Sequence, residues 1–320
     1  MGTQGLTVRI TEVGPREGFQ SESRTIPTEE KVRFIDSLAR TGISEIQVTS
    51  FSHPKLLPQL ADAEAVMAQI ERPPGVGFSV LVPNLRGAER ASQVAADKWG
   101  VMLSVSNSHS LANSNRTTAE ALVQVAGIVR LAREVGVEVD GGMGTALGCP
   151  FEGRIPLKRI EYVVDSYLDL GVRDLIVADT AGMADPLHVY DTMAALLDRY
   201  PNVRFKLHLH DTRGMGLANV VAGLRSGVTA FDSSVAGLGG CPFIPGAAGN
   251  IATEDLVHML ELMACKTSID LTSLVSVART VEDMMGHRAD SSLVRAGASD
   301  ELHDLAKVRV AAVNQTRSRH

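Results

Sequence analysis

The 320-residue chain has three cysteines, Cys149, Cys241 and Cys265, and no C-x-x-C pair. That excludes a disulfide framework and the usual structural zinc site, and leaves each thiol a packing residue or a chemical one. No apolar run is long enough to cross a bilayer, and Met1-Gly2-Thr3-Gln4 lacks the charged-then-apolar order of a secretory signal. The expectation is a cytoplasmic protein with no membrane partner. Clustered positive charge is missing too. The formal net charge is -6 and the only basic patch is the short end 317–320, read as a disordered tail; a nucleic-acid partner needs a basic surface. Finally, no G-x-G-x-x-G follows the first strand pattern, so a dinucleotide-binding open sheet has no support from its fingerprint.

What is present is alternation. Strand patterns fall at 8–13, 45–51, 77–83, 99–106, from 137 towards 146, at 175–178, around 206–210 and at 230–235. Helical spacing follows each one: 27–42 with Thr28 as N-cap, 60–70, 86–95, Thr117 or Thr118 to Gly136, 156–170, 186–200, 216–227 and 255–263. The segment 15–20 reads as a loop, and the Ser/Asn-rich 107–116 as the longest polar connection. Eight strand–helix alternations with short connections predict an α/β protein, a (β/α)8 TIM barrel forming one catalytic domain over 1–320. Helical decoration is expected from about 268, including 271–285.

The stretch Lys206-Leu207-His208-Leu209-His210-Asp211-Thr212 organises the rest. On a strand, residues i and i+2 share a face, so His208 and His210 converge at a strand's C-terminal end, where barrels place their chemistry. Other polar residues at strand ends are Arg16 and Glu17 after strand 1, Gln47 and Ser50 on strand 2, Asp179 after strand 6, and Cys241 and Asn250 after strand 8. One carboxylate, two imidazoles and an amide oxygen suit an octahedral Mg2+ or Mn2+ site; the same ligands also make a facial triad for Fe(II), the weaker reading because no oxoacid-binding signature is visible.

The motifs Glu12-Val13-Gly14-Pro15-Arg16, Thr49-Ser50-Phe51, Ala146-Leu147-Gly148-Cys149-Pro150, Asp179-Thr180 with Gly182, His208-Leu209-His210-Asp211-Thr212 and Ser233-Ser234-Val235-Ala236-Gly237-Leu238-Gly239-Gly240-Cys241-Pro242 through Asn250 resemble the 3-hydroxy-3-methylglutaryl-CoA lyase family, metal-dependent barrels related to isopropylmalate and homocitrate synthases. The resemblance implies retro-Claisen cleavage of a 3-hydroxyacyl-CoA to acetyl-CoA and a keto acid. It implies a divalent cation held by Glu17, His208, His210 and Asn250, with Arg16 stabilising the thioester enolate, Cys241 protonating it and Asp179 handling the hydroxyl proton. Gln20, Gln47, Ser50 and Asn113 are the implied substrate or CoA contacts, and a homodimer is the implied assembly.

Several positions depart from that family. Glu17 stands where the lyases carry Asp, Gln47 where they carry Glu, and Asp140 where they carry Arg. Ser106-Asn107-Ser108-His109 replaces Ser-Glu-x-Phe, and Gly142-Met143-Gly144-Thr145 replaces Tyr-x-Ser-Cys. Two alternatives therefore stay open: a lyase for another branched substrate, such as citramalyl-CoA or a longer analogue, and a barrel that binds an acyl-CoA without turning it over. A synthase of the isopropylmalate branch would need a further C-terminal domain, and the chain ends soon after the eighth helix pattern.

Overall fold

The computed structural model describes residues 4–240 and 249–302. Eight strands, β1 (Arg9–Glu12), β2 (Glu45–Ser50), β3 (Gly77–Leu81), β4 (Lys98–Ser104), β5 (Glu138–Gly144), β6 (Asp174–Asp179), β7 (Arg204–Leu209) and β8 (Ala230–Ser233), pair in parallel in sequence order, and β1 closes on β8. This is the expected closed barrel. Around it run α1 (Phe19–Ser21), α2 (Thr28–Ala39), α3 (Ala63–Gln69), α4 (Leu85–Ala91), α5 (Asn107–Ser114), α6 (Thr118–Val135), α7 (Leu157–Asp169), α8 (Pro186–Arg199), α9 (Gly216–Ser226) and α10 (Thr253–Leu262). Then come α11 (Leu271–Met285), packed on α10 and α2, and α12 (Ser292–Ala296). Among the described residues no helix is long and apolar enough to cross a membrane.

The apolar residues of the helices and the outward faces of the strands make one continuous core, with Trp99, Tyr167, Phe78 and Phe231 fully buried in it. The barrel interior is the opposite, and much of it is polar. Lys206 reaches Thr11 Oγ1 at 2.7 Å and Asp232 at 3.2 Å, and Lys98 meets Asp140 at 3.3 Å and Glu45 at 3.4 Å. A cavity of about 260 Å3 opens at this N-terminal end. Its charges pair largely with one another, and the C-terminal strand ends lie at the other mouth.

Three local expectations are corrected. Thr28 is not an N-cap: Pro27 holds that position without a side-chain bond, and Thr28 Oγ1 donates to Asp62 at 2.7 Å instead. The segment 15–20 is helical, a π-helical turn over Gly14–Gly18 running into α1. The polar connection 107–116 is mostly α5. Its amino end is held by Glu152, which accepts from Ser106 Oγ at 2.8 Å and from the Ser108 amide at 2.7 Å and is paired with Arg159. Ser106 is the local N-cap, its hydroxyl accepting from the His109 amide at 3.2 Å, and the sequence-remote Glu152 adds a second acceptor. Thr117, by contrast, caps α6 in a full capping box with Glu120, and Gly136 closes that helix in the left-handed conformation.

Candidate functional site

Alternation brings the two histidines together as expected. Nε2 of His208 and Nε2 of His210 are 3.2 Å apart, at and just beyond the end of β7. Glu17, in the helical turn after β1, points Oε1 between them, 3.6 Å from His208 and 3.1 Å from His210. All three side chains are buried, and their ligand atoms lie within 4.8 Å of one another, the only such His/Cys/Asp/Glu group among the described residues. Burial opposes the charge on Glu17, but Arg16 and the imidazoles outweigh it and hold the carboxyl well below the usual range. Burial likewise opposes an imidazolium at His208, and Glu17 and Asp232 lift it to about 9.

Asn250 joins this cluster through backbone: an antiparallel bridge pairs it with His210. Its Nδ2 donates to Leu238 O at 3.1 Å, while Oδ1 is buried and accepts no hydrogen bond. A buried amide oxygen without a donor is costly unless something positive is bound to it. One carboxylate, two imidazole nitrogens and this oxygen therefore fit a divalent cation. Gly239 crosses over the same residues: a Cβ there would lie 2.6 Å from Asn250 Nδ2 and 3.1 Å from Glu17 Cγ, and its φ of +105° is one that glycine adopts without strain.

Arg16 is buried beside the cluster, with Nη2 at 2.8 Å from Glu17 Oε2 and Nε donating to Gln47 Oε1 in a short bond. Glu17 thus divides its two oxygens between the histidines and Arg16. Gln47 and Ser50 are three residues apart and by strict alternation would face opposite ways. The register against β3 slips between Gln47 and Thr49, so Gln47 pairs with Ser79 and Ser50 with Leu81. The bulge re-aims the strand end and turns both side chains inward. Ser50 is buried, with its hydroxyl 2.8 Å from that of Ser52.

The other expected residues are placed less directly. Asp179 closes β6 and accepts from the amides of Met183 at 2.8 Å and Ala184 at 2.9 Å, which ties the following turn. Gln20 is half-buried on α1. Asn113 is exposed on α5, lining a cleft of about 60 Å3 that also reaches Met102 and Ser104. Cys241 lies outside the described residues.

Sequence reasoning missed the residues behind the ligands. Asp232 on β8 accepts from His208 Nδ1 at 3.1 Å, and its other oxygen meets Lys206. The period-2 pattern of β7 and β8 could have suggested this pair, had the register been known. Glu12, fully buried, accepts from the amides of Gly14 and Val235 and from Thr253 Oγ1, so it pins the turn after β8. Burial outweighs those donors and pushes its pKa up to about 7.

A closed parallel barrel whose C-terminal mouth gathers these donors beside a buried arginine is the layout of barrel enzymes that work with a bound cation. The HMGL-like family matches residues 7–281. The chain is 42% identical over 279 residues to a hydroxymethylglutaryl-CoA lyase of Bacillus subtilis, covering 87% of this chain and 93% of that one. It is 36% identical over 296 residues to the human mitochondrial hydroxymethylglutaryl-CoA lyase, covering 92% and 91%. An HMG-CoA lyase from Acinetobacter baumannii, solved with coenzyme A and 3-methylmalate, superposes with a TM-score of 0.90 at 39% identity over 93% of this chain and 98% of the other. The chain belongs to the HMGL-like family.

Proposed function

We propose that this protein is a divalent-metal-dependent carbon–carbon lyase that cleaves a 3-hydroxy-3-methylglutaryl-CoA-like thioester to acetyl-CoA and a keto acid. The observation that carries the reading is the buried Glu17–His208–His210 cluster with Arg16 fixed 2.8 Å from Glu17, in a chain whose relatives over nearly its full length are hydroxymethylglutaryl-CoA lyases.

Glu17, His208, His210 and Asn250 would hold the cation. When bound, a divalent ion there supplies positive charge against the oxygen that becomes the ketone carbonyl. In the cleavage the C3 hydroxyl gives up its proton, the C2–C3 bond breaks, C3 becomes the carbonyl carbon and the electron pair passes to the thioester enolate. We assign the hydroxyl proton to Asp179: burial raises its proton affinity, and the amides of Met183 and Ala184 fix its direction. Arg16 stands ready for the enolate oxygen, its guanidinium already oriented by Glu17 and Gln47. Cys241, next after Gly240, is assigned the proton returned to C2; an ordinary thiol is protonated at neutral pH.

The test is acetyl-CoA release from 3-hydroxy-3-methylglutaryl-CoA and from citramalyl-CoA, with Mg2+ or Mn2+ and again with chelator. Turnover that needs the metal is expected with the first substrate. Failure to release acetyl-CoA from either, in protein shown to bind both the metal and coenzyme A, would overturn the proposal in favour of a binding-only barrel.

A further inference from the structure

The N-terminal end of the barrel interior, opposite the metal-ligand cluster, is short of one cation in its depth and carries an unused one at its rim. Lys206 makes its shortest contacts to Thr11 Oγ1 at 2.7 Å and Asp232 at 3.2 Å, and stands off at 3.7 Å from Asp140 and 3.8 Å from Glu45. Lys98 is left to serve both of those carboxylates, at 3.3 Å and 3.4 Å. Two ammonium groups thus face three carboxylates. Asp140 shows the deficit most clearly: its side chain is 5% exposed, and its Oδ1 accepts no hydrogen bond. Burial, partly opposed by Lys206 and Lys98, pushes its pKa up to about 6. A carboxylate held in this way is stabilised by one more hydrogen-bonding cation.

The cavity of about 260 Å3 lies against these groups, and Ile176 and Ala230 add apolar wall to it. At roughly 30 Å3 for each water-sized group, it has room for about eight heavy atoms. Arg204 also lines it and is already committed to Asp174 through two hydrogen bonds. Arg9 is not: its side chain is exposed and makes no hydrogen bond or ion pair among the described residues. Arg9 precedes Thr11 by two residues on β1, so the two share a face, and Arg9 lies nearer the rim by roughly 6.6 Å. Thr11 is in register with Glu45 and Asp232. The unpaired positive charge and the under-compensated negative charge therefore stand at opposite ends of one cavity.

We propose that this cavity binds an ω-amino acid, a short aliphatic chain whose ammonium donates to Glu45 and Asp140 and whose carboxylate pairs with Arg9. A chain of about five carbons spans the gap, at ~1.5 Å per bond. Each end of such a molecule supplies the charge that its end of the cavity lacks, and its methylenes pack on Ile176 and Ala230. A plain amine leaves Arg9 unpaired, and a plain carboxylate adds negative charge to an interior that already has an excess of it. An α-amino acid carries both charges at one end and cannot reach both partners. The site is separate from the barrel mouth that holds His208 and does not depend on the lyase reading.

The experiment is calorimetric titration of the full chain, saturated with Mg2+, with 5-aminopentanoate, pentylamine, pentanoate and glycine, and a thermal-shift series with the same compounds. Expected is a single site for 5-aminopentanoate, with the other three weaker by about tenfold or more, the loss of one charge-assisted contact. Arg9→Met and Asp140→Asn should each weaken 5-aminopentanoate by about tenfold or more on the same ground, and Arg9→Met should bring it down to the affinity of pentylamine. Circular dichroism confirms that the variants fold; Arg9 is exposed, so Arg9→Met and the comparison of compounds on the parent protein decide the matter even where Asp140→Asn does not fold. Equal affinity for 5-aminopentanoate and pentylamine in the parent would overturn the dipolar ligand, because Arg9 would then contribute nothing. Binding that survives Arg9→Met unchanged would place the molecule elsewhere and overturn the site. Neither heat nor a thermal shift with 5-aminopentanoate would overturn the proposal outright.

Discussion

Oδ2 of Asp232 stands 3.1 Å from Nδ1 of His208, and the opposite ring nitrogen of that histidine faces Glu17 and His210. A carboxylate on one nitrogen keeps a proton there, so that a cation at the cluster would displace the proton of the other nitrogen and take its lone pair. Lys206, 3.2 Å from the second oxygen of Asp232, balances its charge. Replacing Asp232 with Asn should weaken Mn2+ binding by about 10–100-fold while the fold persists. Calorimetric titration of the metal-free protein decides this, and an unchanged affinity would remove Asp232 from the metal site.

Arg16 makes two different contacts, to Glu17 and to Gln47. Lysine cannot reproduce that fork. Arg16→Lys should lower kcat about 100-fold, the loss typical of one missing donor to a developing oxyanion, and should leave Mn2+ affinity within a few-fold. A large drop in metal affinity would instead mean that Arg16 chiefly holds Glu17 in place.

Cys241 offers a narrower test. Cys241→Ala should keep metal and coenzyme A binding and lose most of kcat, because a methyl group has no proton to return. Activity near that of the parent would assign the protonation elsewhere.

Glu12 gives stability a definite dependence on pH. Its carboxyl is pushed up to about 7 in the folded protein from an ordinary value of 4.5, so between these values the folded state holds a proton that the unfolded chain releases. Stability from this group is complete below pH 4.5 and is lost as pH rises through 7. Glu12→Gln lacks that titration. In urea titrations its stability relative to the parent should improve by up to about 3 kcal/mol between pH 4.5 and pH 8. A difference independent of pH would show that the donors from Gly14, Val235 and Thr253 keep Glu12 ionised throughout.

Much of the architecture is local and was readable from the chain alone. Strand and helix periodicities report burial on one face or both, so the eightfold alternation is visible without any contact map, and the capping box at Thr117 lies within four residues. The convergence of His208 and His210 needs only the pleat of one strand. Other features depend on residues far apart in sequence. Glu152 reinforces the amino end of α5 from beyond the next strand, beside the local Ser106 cap. Ser50 faces inward because of a bulge seen only in its pairing with β3. The Lys206–Asp232–His208 chain needs the register of β7 against β8. Residue type and local period determined which elements form and which side chains could meet at the barrel mouth. Closure of the barrel decided which of them touch, because inter-strand register is a property of packing between segments and has no signal in any one of them.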